Sequence, residues 1–345
     1  MADLFTSTIS PWSSGKGEQA DVVLCSRIRL ARNFAPYPFP LKATEESSQK
    51  VLDIMKDFCQ KHESYRFLSL GELSPLQKRV LVEKHLISPE HAQGDGKYKG
   101  LVLDDEATVS IMVNEEDHLR LQCFAPGMDL MGLWDKADKL DDLIEADNEY
   151  AFDEQYGYLT CCPTNLGNGL RGSVMMHLPA LSLTGQLGVL NQLGNIGMTV
   201  RGLYGEGSEA IGDLYQISNQ LTLGQSENDI LTNLYGVNQQ LIREERNARD
   251  YLLEHNRVQL EDRCWRALGT LTHARYLSSR EALSLISLVR LGVAVGIIGH
   301  LTLEAVSNLY MLVQPGYLQL IAKNNDINET ERDLLRAKQV KEYLA

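Results

Sequence analysis

Three short apolar runs sit almost back to back in this chain: Gly100-Leu101-Val102-Leu103, Val109-Ser110-Ile111-Met112-Val113 and Leu119-Arg120-Leu121-Gln122-Cys123-Phe124. The connections around Asp104-Asp105-Glu106 and Glu115-Glu116-Asp117-His118 are too short to hold a crossover helix, so the runs must pair as antiparallel strands. Val22-Val23-Leu24 and Tyr156-Gly157-Tyr158-Leu159-Thr160 read as further strands. Apolar residues at three- and four-residue spacing predict helices over Thr44 to His62, Ser74 to His85, Met128 to Asp147 and Leu178 to Leu193. The expected class is therefore α+β, a largely antiparallel sheet flanked by helices.

The texture changes at Ser226. Ser226 followed by Asp229 has the form of a helix N-cap, and Ile230, Leu234, Val237 and Leu241 follow at helical spacing. Strand signals then cease, and further helices are expected near Ser278 (with Glu281 three residues on), Thr302 and Asn328. A chain of 345 residues, 43% hydrophobic and 23% charged, has room for two domains. The expected division is 1–250 and 251–345, the second all-α, with a boundary at about 245 to 255 running through a long helix. Leu283 to Leu301 is the longest apolar run, but Arg290 near its middle and Gly292, Gly296 and Gly299 mark a buried core helix, not a membrane span. The six cysteines (Cys25, Cys59, Cys123, Cys161, Cys162 and Cys264) form no C-x-x-C pair, so neither a zinc site nor a disulfide scaffold is expected. Most should be small buried residues.

The formal net charge of −13 would repel nucleic acid and attract a cationic partner. Met1 to Gly17 lacks a basic segment followed by an apolar one, so the cytoplasm is the expected compartment.

Four segments set charge into otherwise apolar, strand-like sequence, a mismatch that marks candidate sites. In Ser26-Arg27-Ile28-Arg29-Leu30-Ala31-Arg32-Asn33, Arg27 and Arg29 alternate with apolar residues and project from one strand face. Two guanidinium forks side by side suit phosphate oxygens; a solvated face paired with acids reads equally well from this segment alone. Val113-Asn114-Glu115-Glu116-Asp117-His118-Leu119-Arg120 is a tight turn with three consecutive acids, which by itself needs no special role, yet Arg120 opens the next strand with the same alternation. Cys162-Pro163-Thr164-Asn165-Leu166-Gly167-Asn168-Gly169-Leu170-Arg171 is glycine-rich and closes on an arginine, as an anion loop or an ordinary surface loop would. Arg201-Gly202-Leu203-Tyr204-Gly205-Glu206-Gly207-Ser208-Glu209 leaves a strand as an acidic surface loop or lid. No Walker A lysine and no Gly-x-Gly-x-x-Gly kinase loop accompanies these segments.

In this order the four segments resemble the guanidino (phosphagen) kinases, the family of arginine and creatine kinase, over roughly residues 20 to 225. The resemblance implies that Arg27, Arg29, Arg120, Arg171 and Arg201 bind the phosphates of ATP, in a set that begins at Ser26 of the Ser-x-Arg-x-Arg strand. It implies that Glu116 binds the guanidinium and acts as base, that Cys162 lies beside that guanidinium, and that Glu206 is the loop glutamate of the arginine kinases. His85, in Glu83-Lys84-His85-Leu86-Ile87, resembles the family histidine near the nucleotide; without the resemblance it reads as a surface histidine on a helix. Asn168 stands where the family has threonine, and Met175 where the small-molecule kinases have a histidine against adenine. No helical domain of the family's kind precedes Arg27, and a helical one follows instead, an arrangement similar to the bacterial protein-arginine branch. That branch's Arg-Asp-x-x-Arg-Ala motif matches Arg332-Asp333-Leu334-Leu335-Arg336-Ala337, implying phosphoarginine recognition by Arg332, Asp333 and Arg336; composition alone gives a solvated helix face.

What the resemblance implies chemically is transfer of the γ-phosphoryl group of ATP, with Mg²⁺, to arginine side chains of proteins, with no protein-held metal cage. A guanidinium keeps its proton up to a pKa above about 12, so its nitrogen becomes a nucleophile only where a base removes that proton. Glu116 and Glu206 would clamp the planar fork and accept it, and Cys162 as a thiolate would add negative charge nearby. Cys161 is expected on the other face of the strand, in the core. The implied partners are a stress-gene repressor and aggregated or unfolded proteins as substrates, a zinc-containing activator, a Clp unfoldase or protease and a second copy of the chain, with neither nucleic acid nor membrane. The alternatives are a kinase of a free guanidino compound such as arginine, and a non-catalytic phosphoarginine-binding adaptor.

Overall fold

The computed structural model describes residues 2–8, 10, 14–202, 210–322 and 327–345. The strands are β1 Val23–Arg32, β2 Tyr65–Ser69, β3 Gly100–Asp104, β4 Val109–Val113, β5 Leu119–Pro126, β6 Phe152–Asp153, β7 Gly157–Tyr158, β8 Leu170–His177, β9 Met198–Gly202 and β10 Leu214–Asn219. Eight of them form one sheet in the order β2-β3-β4-β5-β1-β8-β10-β9, with every pairing antiparallel. The short connections at 104–109 and 113–119 make the β3-β4-β5 meander, as the spacing of the apolar runs requires.

Strand β1 sits inside the sheet and gives it two different faces. Its even-numbered residues Ile28 and Leu30 are buried opposite Cys123 and Leu121 of β5 and Leu170 of β8. The helices Leu130–Glu145 and Glu227–His255 cover that face; Leu231 and Leu234 of the second press so close on Gly172 that a Cβ there would meet Leu234 at 2.9 Å. Arg32 points to the same side, where its Nη2 lies 2.6 Å from Asp141 of the first helix and its guanidinium stacks 3.6 Å from the Tyr158 ring. Its Nη1 donates to the carbonyls of Ala31 and Asn168. This pair is buried and fully hydrogen-bonded on the arginine side, so it ties β1 to the helix layer and to the loop before β8.

The predicted helices over Thr44 to His62, Ser74 to His85 and Met128 to Asp147 appear as Glu45–Lys61, Pro75–Glu83 and Leu130–Glu145. Thr44, Ser74 and Asp129 cap them by accepting the amides of Ser47, Gln77 and Gly132. The fourth prediction fails: Leu178 to Leu193 is broken into Pro179–Leu183 and Gly188–Asn191, followed by a 3₁₀ turn at Leu193–Ile196. Gly185 between the first two pieces has φ +71°, a conformation that stops the first helix. The strand expected over Tyr156 to Thr160 shrinks to Gly157–Tyr158, paired with β6 and bridged at Tyr158 to Gly167, so Cys161 is not on a strand at all and is half-buried rather than core. Cys25, Cys123 and Cys264 are buried as expected.

Past Asn219 the described residues hold helices only. Glu227–His255 runs through the expected boundary region and stops at Asn256; Arg257–His273, Ser279–Ala294, Leu303–Leu312, Pro315–Ile321 and Glu329–Leu344 follow. Ser226 is the N-cap read from sequence, and Ser278, Thr302 and Asn328, near which further helices are expected, are N-caps too. The run containing Arg290 is buried core, with Arg290 fully covered and its Nη2 donating to Ala20 O, and no described helix is long and apolar enough to cross a membrane. Buried polar contacts join these helices to the sheet region: Ser287 donates to Asp213 and meets His177 Nε2 at 2.9 Å, and the Glu83 carboxylate accepts the amides of Gly316 and Tyr317.

Replacing Arg32 by alanine leaves Asp141 buried without its partner. The expected loss is about 3–5 kcal/mol of unfolding free energy, read by urea denaturation; a change within about 0.5 kcal/mol, the range of an unremarkable surface substitution, would refute the role given to the pair.

Candidate active site

The opposite face of the sheet carries the charge. Directly paired residues in an antiparallel sheet share a face. Arg29 pairs with Arg171 of β8 and Gln122 of β5, Ala31 with Arg120, Arg27 with Ser173 and Phe124, Met175 with Gln216 of β10, and Gln216 with Arg201 of β9. Register alone therefore places Arg27, Arg29, Arg120, Arg171 and Arg201 on one face across β5-β1-β8-β10-β9, strands about 4.8 Å apart. These arginines form a set by resemblance; the pairing explains how residues 174 positions apart come together.

The face is positively charged, and neutral neighbours orient Arg27 on it. Arg27 donates through Nη2 to Gln216 Oε1 at 2.8 Å and through Nε to Ser173 Oγ at 3.3 Å. Burial brings its pKa down to about 10, and burial together with the other four arginines holds Arg29 well below the usual guanidinium range. The buried Nε of Arg29 has no hydrogen-bond partner. Stacked like charges with an unmet donor are the arrangement an anion with several oxygens would complete. His85 lies beside this face, lining a small cavity with Arg27, Phe124, Ser173, Met175 and Gln216. Burial and the Arg27 charge push His85 down to about 3, so it is neutral at physiological pH. Ser26 is not brought to the face: it is even-numbered and fully buried, donating to Gly127 O and accepting the Asp129 amide.

Carboxylates appear at the β4–β5 end. Glu115 accepts Arg120 Nη1 at 2.9 and 2.8 Å and the Ser88 hydroxyl. Burial would raise Glu115, but Arg120 and Ser88 override it and hold the carboxyl at about 2. Glu116 is left facing outward: its Oε1 accepts Asn165 Nδ2 at 3.0 Å and is 3.7 Å from Arg120. Glu90, Lys99, Glu115, Glu116 and Arg120 line an opening of ≈ 250 Å³. Cys162 precedes the 3₁₀ turn Pro163–Asn165 that carries Asn165, and its Sγ lies 3.0 Å from Thr164 Oγ1.

Residues that the sequence reading passed over hold this corner. Asn33, the first residue past β1, donates to Asp117 Oδ1 at 2.6 Å and accepts the His118 amide at 2.8 Å. Asp117 Oδ1 also accepts the Cys161 amide at 2.7 Å, while His118 Nδ1 accepts the Phe34 amide and its Nε2 donates to Pro38 O. The acidic turn, the end of β1 and the Cys161-Cys162 segment are thus one hydrogen-bonded unit. The glycines of Gly167-Asn168-Gly169 serve packing: Gly169 has φ +68° and a Cβ there would meet Ala31 O at 2.7 Å. Glu206 lies outside the described residues. Arg332, Asp333 and Arg336 are not brought to the sheet face; they sit on Glu329–Leu344. The solvated face that composition gives is corrected for two of them, since Arg336 is 1% exposed and Asp333 4%. Arg336 donates to Val313 O, Leu277 O and Asp333 Oδ1, closing three helical segments together, and Arg332 is half-exposed.

Glu115 makes an acid-limb prediction. Its folded pKa lies below its ordinary 4.5, so its stabilisation is complete above about pH 4.5 and is lost as pH falls towards 2. Glu115→Gln should flatten that limb in urea unfolding measured from pH 5 to 2.5; an unchanged limb would refute the Arg120 clamp.

The chain is similar to known proteins along its length. Residues 46–248 match the family profile described as ATP:guanido phosphotransferase, C-terminal catalytic domain, and residues 257–345 match that of the Protein-arginine kinase McsB C-terminal domain. The chain is 46% identical over 347 residues to the protein-arginine kinase of Halothermothrix orenii, covering 100% of this chain and 99% of that one. It is 50% identical over 330 residues to that of Caldanaerobacter subterraneus subsp. tengcongensis, covering 94% and 97%. Among solved structures, lombricine kinase superposes with a TM-score of 0.59 at 25% identity, over 74% of this chain and 72% of that one. The chain belongs to the ATP:guanido phosphotransferase family, among its protein-arginine kinases.

Proposed function

We propose that the chain transfers the γ-phosphoryl group of ATP to arginine side chains of proteins, with the arginine face as the phosphate cradle and Glu116 as the base. The single observation that carries this assignment of roles is the shared face: five guanidinium groups across five strands, ending at an outward carboxylate beside an opening. Phosphate oxygens lie on Arg27, Arg29, Arg120, Arg171 and Arg201, with neutral His85 at the rim. The acceptor guanidinium enters at Glu116, which orients one terminal nitrogen and takes its proton as the N–P bond forms and the bond to the β-phosphate oxygen breaks. Glu115 is spent on Arg120, so the two adjacent glutamates divide positioning and base work. Cys162 lies beside the substrate nitrogen, and Glu206 would complete the clamp. Ser26 supports strand β1. No group of three His, Cys, Asp or Glu able to hold a metal occurs among the described residues, so Mg²⁺ would ride on the nucleotide phosphates and offset their charge.

The same reading takes residues 251–345 as a phosphoarginine-recognition and dimerisation domain and 1–250 as the catalytic one. In the recognition segment Arg332 is the reachable cation, while Asp333 and Arg336 frame it. A role in bacterial stress response and protein quality control, a cytoplasmic location, homodimerisation, a zinc-containing activator, a stress-gene repressor as substrate and delivery to a Clp unfoldase or protease rest on the resemblance to the protein-arginine kinases.

Incubation with ATP and a basic protein should yield acid-labile phosphate on arginine; label on free arginine alone would reject the protein substrate. Glu116→Ala should lower kcat by roughly 10²–10⁴ while nucleotide affinity changes little. Equal loss of nucleotide affinity would reassign Glu116 to the phosphate site.

A further inference from the structure

The segment from His85 to Ser88 lies over β4 and β5 on the arginine side of the sheet. Ser110 and Gln122, cross-strand partners on that face, both donate to Leu86 O, and the Ser88 amide rests on the sulfur of Met112, the partner of Arg120. Ser88 then uses one hydroxyl twice. It accepts the His91 amide at 3.0 Å, closing a turn in which Pro89 is the second residue, and it donates to Glu115 Oε1. Lys99 Nζ fixes the same turn by donating to the carbonyls of Glu90, His91 and Gln93 at 3.2, 3.3 and 3.0 Å, and the His91 ring donates to Gly100 O at 2.9 Å. Glu115, in its turn, receives Arg120 on both oxygens and the Glu116 amide at 3.2 Å. A rigid turn, one hydroxyl and one carboxylate therefore lead to a guanidinium of the charged face.

We propose that Ser88 is a positioning residue for phosphoryl transfer: its hydroxyl holds the Glu115 carboxylate on Arg120 and thereby keeps Arg120 off Glu116. Arg120 has two carboxylates near it, Glu115 at 2.8 Å and Glu116 at 3.7 Å. They are the same residue type on one turn, so their chemistry does not rank them. Their surroundings do: the Ser88 hydroxyl and the Glu116 amide both point at Glu115, which is fixed in the orientation that takes the guanidinium. Without the hydroxyl, Glu115 is free to turn and Arg120 is shared with Glu116. The guanidinium then leaves its place among the phosphate oxygens, and a carboxylate meant to take a proton is ion-paired and becomes a weaker base. The loss falls on the chemical step, because Arg27, Arg29, Arg171 and Arg201 remain to hold the nucleotide.

This inference rests on the proposed places of Arg120 at the phosphates and Glu116 at the acceptor. The test measures kcat and ATP affinity of the full chain, with a basic protein as acceptor, for Ser88→Ala, Ser88→Thr and Ser88→Asp, each checked for folding by circular dichroism. Ser88→Ala should lower kcat roughly tenfold with ATP affinity within about twofold, and Ser88→Thr, which keeps the hydroxyl, should stay within about threefold of the parent. Ser88→Asp separates the two uses of the side chain. It can still accept the His91 amide but cannot donate to Glu115, and it sets a like charge against that carboxylate. Its kcat should therefore fall at least as far as that of Ser88→Ala. A folded Ser88→Asp with parental kcat would show that Ser88 only closes its turn and would overturn the proposal, as would a loss in Ser88→Ala confined to ATP affinity. Arg120→Lys is measured beside them. If it keeps full kcat, the reading of Arg120 at the phosphates fails; if it is impaired while Ser88→Ala is not, the role of Ser88 fails alone.

Discussion

The backbone pairing of strand β1 on both its edges is the constraint on which the rest of this molecule depends. With β5 on one side and β8 on the other, each β1 side chain has its face assigned, and a slip of one residue would send Arg27 and Arg29 into the helix-covered core and bring Ile28 and Leu30 out. The apolar face resists such a slip through burial, and Arg32 resists it through Asp141, since the pair forms only when position 32 points to the helices. The same alternation that builds the core thus builds the charged face.

In the proposed function that face exchanges local stability for binding. Partly buried guanidinium groups repel one another; the neutral Ser173 and Gln216 hold Arg27, while Glu115 and Glu116 lie against Arg120. Repulsion left standing in the free protein is interaction energy available to an anion with several oxygens, which is the electrostatic form of preorganisation. Among the described residues Glu115 and Glu116 stand at the Arg120 end of the face, where the proposed phosphate and guanidinium regions would meet.

The helical part is no loose appendage. Ser287 reaches Asp213 and Gly316 and Tyr317 cap Glu83, so two helices after residue 256 are hydrogen-bonded to elements bordering the charged face. Its own motif shows how one residue type serves different ends: the guanidinium of Arg336 is enclosed by carbonyls and a carboxylate, whereas those of Arg27 and Arg29 are held open. Sequence spacing cannot distinguish the two, because both are arginines amid apolar residues.

The sequence by itself determined the elements whose signals are local. The short turns of the β3-β4-β5 meander, the caps at Thr44, Ser74, Ser226, Ser278, Thr302 and Asn328, and the alternation around Arg27 and Arg29 need no distant residue to be read. The order of charged segments was likewise legible as a resemblance. It misled where glycines interrupt an apolar period, as between Leu178 and Leu193, and it overran the two-residue strand Gly157–Tyr158 at both ends. Only the tertiary structure decided that Arg201 and Arg120 share a face, that Asn33, Asp117 and His118 frame the acidic turn, that Glu115 and Glu116 face different partners, and that Ser26 and Arg336 are buried. The reason is physical: a residue's face and partners follow from register and packing among strands far apart in the chain, and those are set by the collective burial of the whole sheet rather than by any residue's neighbours in sequence.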